Sequence, residues 1–477
     1  MTALAENQVA AEAPAPAAAI GAPASPAGPV DSGAGIAMPP AMAIPGVLQG
    51  LRFARRPMTF ALGAQREFGD VWQIRVPTRA EAFVVTCHPD HLRSLLKADP
   101  AEAPSLTGES PLRPILGPNS VLTSVGARHL RQRKLLLPPF HGEAVQRYVE
   151  MIADVARQEI DHWPLDEPFA LAPRMQAVTL EVIMRGVFGV GVASQTTTAE
   201  RRMRQALRRM LAASMSPLYF LVELRNARHL EPKGLLAAVM AMVDRQMYAV
   251  IRERRAAGDS DERGDVLSLL LEARDEHGEP LTDPELRDEL MSLVLAGHET
   301  TANSLAWIFE RLLRTPAAYG RLREVVRGDD RPAAQEYVEA TIHEGMRIRP
   351  VIPMIGRLVM RPWRLGGYTV PARTPIGVSI IALHHRPDVY ADPHAFLPER
   401  FLGVKPGTYT WIPFGGGIRR CLGASLAMAE QRVVLEAIAR RTDLVAPEPT
   451  SERPRMRNVT MIPRSGCLVR VARRHPD

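Results

Sequence analysis

The segment from Trp411 to Ala427 reads WIPFGGGIRRCLGASLA, and its chemistry centres on Cys421. Phe414, Gly417, Arg419, Cys421 and Gly423 follow the spacing FxxGxRxCxG, just ahead of a periodic apolar run that predicts a helix over 423–441. A cysteine in that position meets unpaired backbone N–H groups and the positive end of the helix dipole, and both favour its thiolate. As an axial ligand, a thiolate pushes electron density onto haem iron and favours O–O cleavage. The glycines at 415, 416 and 417 let the chain turn tightly beneath a flat macrocycle, and Gly423 lets the next helix approach it. Phe414 can cover the sulfur, and Arg419 can reach a propionate. The other cysteines, Cys87 and Cys467, form neither a disulfide framework nor a C-x-x-C zinc spacing with it.

Three more spacings carry chemistry. In Ala296-Gly297-His298-Glu299-Thr300-Thr301 a long apolar run is broken by a residue without a side chain, an acid and two alcohols. Thr300 can bond a carbonyl one turn back, loosening the helix there. A metalloprotease reading of His298-Glu299 fails, because HExxH needs a histidine at 302 and Ala302 stands there. Glu344 and Arg347 stand at i, i+3 and share a helix face. His129 and Arg133 stand at i, i+4 on a basic helix with Arg128, Arg131 and Lys134. A run like that is ordinarily a solvated face.

The elements that must hold these residues are mostly helical. Strands are expected at Val71–Val76 and Ala82–Cys87, then a helix over Pro89–Lys97 and a largely helical stretch from Gly126 to about residue 315. The longest helix starts at Thr282-Asp283-Pro284, a cap followed by proline, and stops before Pro316. Another helix covers Ala333–Ile348, with short strands near 357–360, 368–370 and 376–381. A Pro-rich loop leads from His384 to Phe414, and a small hairpin is expected over Val459–Val471. With 46% hydrophobic and 23% charged residues, the chain reads as a soluble, mainly α single domain with minor β. Residues 1–45 hold sixteen Ala and eight Pro, with no Lys or Arg before Arg52, and read as a disordered or extended tail, without helix or strand, preceding a domain over 46–477. No stretch is apolar enough to span a membrane. The Arg pairs at 201–202 and 208–209 and the apolar stretch Pro217–Leu224 leave a minor membrane-surface reading open. The net charge of +7 is spread along the chain rather than blocked, which argues against nucleic acid and for an acidic docking partner.

Taken together, these motifs resemble the cytochrome P-450 family of haem-thiolate monooxygenases, in the family's order from about residue 45 to the C-terminus. The resemblance implies the family fold, with haem b (iron protoporphyrin IX) between the long helix and the loop of Cys421, its axial ligand. Glu344-Gly345-Met346-Arg347 is similar to the family's ExxR motif and Phe396–Phe401 to its PERF element, implying a buried Glu344–Arg347–Arg400 triad that supports the ligand loop. Residues 296–300 match AGx[DE]T, so Glu299 and Thr300 are expected to relay protons to dioxygen, the co-substrate. His129, Arg133 and Arg357 match propionate contacts. Leu293, Ala296, Gly297, Val351, Ile352, Met354, Ile355, Met461 and Ile462 match substrate-contacting regions. These are mostly apolar, and Leu135–Gly142 (LLLPPFHG) is similar to members that act on lipid-like compounds. A fatty acid, terpenoid, steroid or lipophilic secondary metabolite is the implied substrate. The soluble bacterial type implies a cytoplasmic monomer fed by a ferredoxin or flavodoxin and its NAD(P)H reductase, docking on Arg128, Arg131, Lys134 and Arg420. The alternatives are a peroxide-driven peroxygenase and a haem sensor or carrier without turnover.

Overall fold

A computed structural model describes residues 24–31, 33–75, 82–110, 112–189, 196–214, 222, 225–226, 229–258 and 263–476. In chain order its helices are α1 (Gly46–Arg55), α2 (Pro57–Phe68), α3 (Pro89–Lys97), α4 (Arg113–Leu116), α5 (Gly126–Leu136), α6 (Glu143–Asp161), α7 (Leu171–Phe188) and α8 (Thr198–Ser214). They continue as α9 (Leu235–Ala257), α10 (Val266–Glu272), α11 (Asp283–Leu313), α12 (Pro316–Arg327), α13 (Arg331–Ile348), α14 (Ile380–His384) and α15 (Ala424–Arg441). The strands are β1 (Ala27–Pro29), β2 (Val71–Ile74), β3 (Phe83–Thr86), β4 (Pro168–Ala170), β5 (Met354–Val359), β6 (Trp363–Leu365), β7 (Tyr368–Val370), β8 (Thr374–Ser379), β9 (Thr442–Val445), β10 (Pro454–Arg457), β11 (Thr460–Pro463) and β12 (Leu468–Arg474).

Helix α11 is the axis of the molecule. Its start is local chemistry: Thr282 Oγ1 accepts the Glu285 N–H while the Glu285 carboxylate takes back the Thr282 N–H, a closed capping box with proline in the first turn. Thirty-one residues run without a break to Leu313. Its second half lies among α6, α7, α12, α13 and α15, in a core that includes Leu305, Ile308, Phe309, Ile342, Val434 and Leu435. Its first half closes a second core with α7, α8, α9 and α10. A third core, around Trp72, Trp363 and Ile376, fills the space under the four-stranded sheet β2-β3-β8-β5. Removing any one of these large side chains to alanine costs about 2–5 kcal/mol.

Three sequence expectations differ from what is observed. The tail expected over 1–45 is structured where it is described: β1 pairs antiparallel with β6, and Pro26 O and Val30 N–H bond Gly366 and Pro362. Proline bars a chain from a central strand but not from the edge, and β1 is an edge strand. The hairpin expected over 459–471 is two structures. Asn458, at φ +53°, turns β10 into β11. Gly466 and Cys467, both at positive φ, then swing β12 away to pair with β4 and β9. The strand expected at 376–381 ends at Ser379, whose side chain accepts the Ala382 N–H and starts α14. Of the stretch Pro217–Leu224, only Val222 lies within the described residues.

Candidate active site

The loop before α15 closes on itself. The Cys421 N–H donates to Phe414 O at 2.9 Å and the Gly415 N–H to Ile412 O at 2.9 Å. Gly415 and Gly417 are left-handed, at φ +66° and +62°. A side chain on Gly417 would also lie 2.7 Å from Leu96 O, so glycine there lets the loop press against α3. Around Gly423, by contrast, a Cβ would meet nothing within 4 Å, so open space lies beside the start of α15. Cys421 is surface-accessible onto that space yet ringed by protein. Burial raises its thiol, opposed by a hydrogen bond from the Gly423 N–H and by Arg420 and Arg133. Phe414 is half-buried, edge-on to Trp411 with ring centroids 6.1 Å apart.

Four basic side chains gather on the same side. Arg419 Nη1 and Nη2 donate to the carbonyls of Val121 (3.1 Å) and Ser124 (2.5 Å), Arg133 Nη1 to Arg420 O (2.7 Å) and Arg357 Nη1 to Gly356 O (3.0 Å). Among the described residues none of these three arginines meets a carboxylate. Burial pushes Arg357 down to about 10, and burial with Arg357 and Arg133 does the same to Arg419. Burial, then Arg419, Arg133 and Arg357, push the buried His129 imidazole down to about 4, so it is neutral. Buried cations without counter-charge are costly. A group bearing two carboxylates, fitted between them and a thiol-bearing loop, satisfies all four by charge-assisted bonds. The residues present therefore fit haem.

The middle of α11 carries side-chain-to-carbonyl bonds. Thr300 Oγ1 donates to Ala296 O at 2.6 Å, Thr179 Oγ1 to His298 O at 2.7 Å and Asn303 Nδ2 to Glu299 O at 2.9 Å. Three carbonyls within four residues thus share their lone pairs with side chains, without breaking the helix. A Cβ on Gly297 would lie 2.9 Å from Ile183 Cδ1, so glycine here admits α7. The Glu299 carboxylate points to the β10–β11 hairpin. Its Oε1 accepts from Arg457 Nε at 2.8 Å and Thr460 Oγ1 at 2.7 Å. Sequence reasoning missed both partners, since separations of 158 and 161 residues carry no local signal. One turn beyond Thr300, Ser304 Oγ donates to Gln431 on α15 at 2.6 Å, tying the two helices together.

Below the site, Glu344 and Arg347 are fully buried and paired twice, at 2.6 and 2.7 Å. Arg347 also donates to the carbonyls of His384, Pro393 and Ala395. Arg400 Nε lies 3.2 Å from the Glu344 carboxylate, which also takes the Leu397 N–H at 2.9 Å.

Two groups of expected residues are only partly assembled. Ala296 is exposed, and Leu293, Gly297, Ile352, Met354 and Ile355 are half-buried, but Val351 is buried. Met461 and Ile462 belong to the interior, at 0% and 4% exposure; Met461 is bonded through its backbone to Val351 and Trp307. At the hairpin tip, it is Val459 that projects. Of the expected docking cations, Arg131 is bonded to Asp275 (2.6 Å) and Glu285 (3.0 Å), and Lys134 to Glu276 (3.0 Å). The acids of the 275–285 stretch neutralise these two, which leaves Arg128 and Arg420 exposed.

A loop-borne cysteine beside cations that meet no carboxylate among the described residues suits a haem-thiolate site. The profile of the family "Cytochrome P450" matches residues 38–469. The chain is 41% identical over 365 residues to a Mycobacterium tuberculosis protein named as cytochrome P-450 137, covering 76% of this chain and 75% of that one. It is 35% identical over 440 residues to one named as cytochrome P-450 135B1 from Mycobacterium bovis, covering 91% of each. Among solved structures, retinoic acid-bound cyanobacterial CYP120A1 superposes with a TM-score of 0.74 at 21% identity, over 92% of this chain and 100% of that chain. The haem domain of cytochrome P450DA gives 0.74 at 22%, over 92% and 98%. The chain belongs to the cytochrome P-450 family and is a monooxygenase of that family. Among the described residues no helix is long and apolar enough to cross a membrane.

Proposed function

We propose that this enzyme inserts one atom of O₂ into a lipophilic small molecule, with haem b held by Cys421 and electrons drawn from a separate ferredoxin or flavodoxin and its NAD(P)H reductase. The observation that carries the reading is the cluster of His129, Arg133, Arg357 and Arg419 around the loop of Cys421, which meets no carboxylate among the described residues. When bound, haem supplies the activation of dioxygen. Everything else is done by this chain. Cys421 would supply an anionic sulfur once it bonds iron; burial raises the free thiol, and the Gly423 N–H with nearby Arg420 and Arg133 only oppose that rise. The arginines and His129 orient the two propionates. The apolar lining admits a substrate without charge and sheds water.

Protons have to reach the oxygen face along α11. Thr300 Oγ1 is the alcohol there, and Glu299 the acid beside it. Arg457 and Thr460 occupy Glu299 Oε1, which holds the carboxylate at the β10–β11 hairpin; a proton passing through Glu299 would enter from there. Glu299→Gln and Thr300→Val should each lower product formation by about 100-fold, within the range of a lost general acid. Electron consumption should persist and emerge as hydrogen peroxide. The ratio of product to NAD(P)H consumed measures this, and an unchanged ratio would remove both residues from the relay.

For the partner, the exposed cations Arg128 and Arg420 border the loop of Cys421 and suit an acidic carrier. Arg128→Glu/Arg420→Glu should slow reduction about tenfold at low ionic strength, with the difference shrinking as salt rises. Stopped-flow reduction by a ferredoxin tests it, and equal rates at all salt concentrations would move docking elsewhere. A spectral binding screen of fatty acids, terpenoids and steroids, followed by mass analysis of products, tests the substrate class. Binding confined to polar or charged compounds would reject it.

A further inference from the structure

Helix α1 is folded inside out. The one residue it buries is polar: Gln49, at 2% exposure, donates to Ile44 O and accepts the Arg75 N–H. Its aliphatic side chains face outward, with Val47 70% exposed, Leu48 44% and Leu51 43%. The i, i+1, i+4 spacing puts all three on one face. Ile36 and Met38, just upstream, are exposed as well. Single exposed aliphatics are ordinary, but three on one face of a ten-residue helix, with two more exposed just upstream in the sequence, call for a partner.

Charge on the segment is equally one-sided. Between Asp31 and Glu67 there is no acidic residue, while Arg52, Arg55, Arg56 and Arg66 all fall there. Arg52, Arg55 and Arg56 are exposed and form no ion pair among the described residues. A second copy of this chain fits poorly, because a two-fold contact through α1 would set these arginines against themselves. An anionic bilayer matches both halves at once, with aliphatic side chains at the acyl boundary and guanidinium groups among lipid phosphates. We infer that α1 and residues 36–38 dock this protein on an anionic lipid surface. The inference is independent of the proposed chemistry.

Co-sedimentation of the full-length, haem-loaded protein with lipid vesicles tests it. Vesicles of phosphatidylcholine containing phosphatidylglycerol should carry the protein down, pure phosphatidylcholine should not, and binding should weaken as salt rises. The triple variant Arg52→Gln/Arg55→Gln/Arg56→Gln should bind about 100-fold more weakly, at about fivefold per arginine. Val47→Ser/Leu48→Ser/Leu51→Ser should bind at least about tenfold more weakly. Leu165→Ser/Leu235→Ser, exposed aliphatics elsewhere, should bind like wild type. All the altered side chains are in solvent, and thermal melting checks that each variant is folded. The inference falls if wild type stays in the supernatant with phosphatidylglycerol, or if the α1 variants bind unchanged. It also falls if the serine variant of α1 converts a dimer to a monomer, which would make a second copy the occupant.

Discussion

Cys421→Ser is expected to abolish the red-shifted Soret band of the reduced, CO-bound protein and to cut turnover below about 1% of wild type. That exceeds the 10–100-fold loss typical of a missing outer partner, because the substitution removes the proposed ligand itself. A serine oxygen is a harder, less electron-donating ligand than sulfur. The hydrogen bond from Cys421 N–H to Phe414 O involves only backbone, and the left-handed turns at Gly415 and Gly417 are untouched. The variant should therefore fold, and the four bases at the propionate end should still retain haem. Difference spectra and haem content measured on both proteins decide the matter. A folded, haem-loaded wild type without the band would show that Cys421 is not the working ligand, and the haem sensor or carrier reading would then replace the oxygenase.

The second large effect concerns stability. Glu344→Ala leaves Arg347 fully buried with its charge unpaired, and Arg400 and the Leu397 N–H lose an acceptor. The expected cost is about 3–5 kcal/mol, a large part of the ~5–15 kcal/mol that holds a typical domain together. Arg347→Lys should also be costly. A lysine cannot make the twin bonds to Glu344 while also reaching the carbonyls of His384, Pro393 and Ala395. These carbonyls belong to the segment leading to the ligand loop, so haem retention should fall together with stability. Denaturant unfolding of wild type and both variants measures the loss. A change below about 1 kcal/mol would mean the triad does not anchor this segment.

How much could be read in advance depended on the distance over which each feature is determined. The ends of α11 were legible because a capping box and a proline stop act within one turn. The face shared by Glu344 and Arg347, and the bond from Thr300 to Ala296 O, follow from helical spacing alone. Arg400 entered through family resemblance, since at a separation of 56 residues from Glu344 nothing local announces its approach. The pairing of Arg131 and Lys134 with acids more than 140 residues away was not legible, and it halves the expected docking patch. Met461 and Ile462 show another limit. Alternation in a strand says that one face is apolar, without saying whether it faces a pocket or the core.

By itself, the sequence determined the chemistry available to this protein: a cysteine before a helix, an acid and alcohol in mid-helix, and an i, i+3 ion pair. Each rests on backbone geometry that repeats within a few residues. Only the tertiary structure decided which charges remain unpaired, because pairing depends on what the fold brings within hydrogen-bond reach. It left His129, Arg133, Arg357 and Arg419 without an acid among the described residues, tied Glu299 to Arg457 and Thr460, and turned the aliphatic face of α1 outward. An amphipathic pattern states that a helix has two faces, and packing alone decides which of them meets the interior.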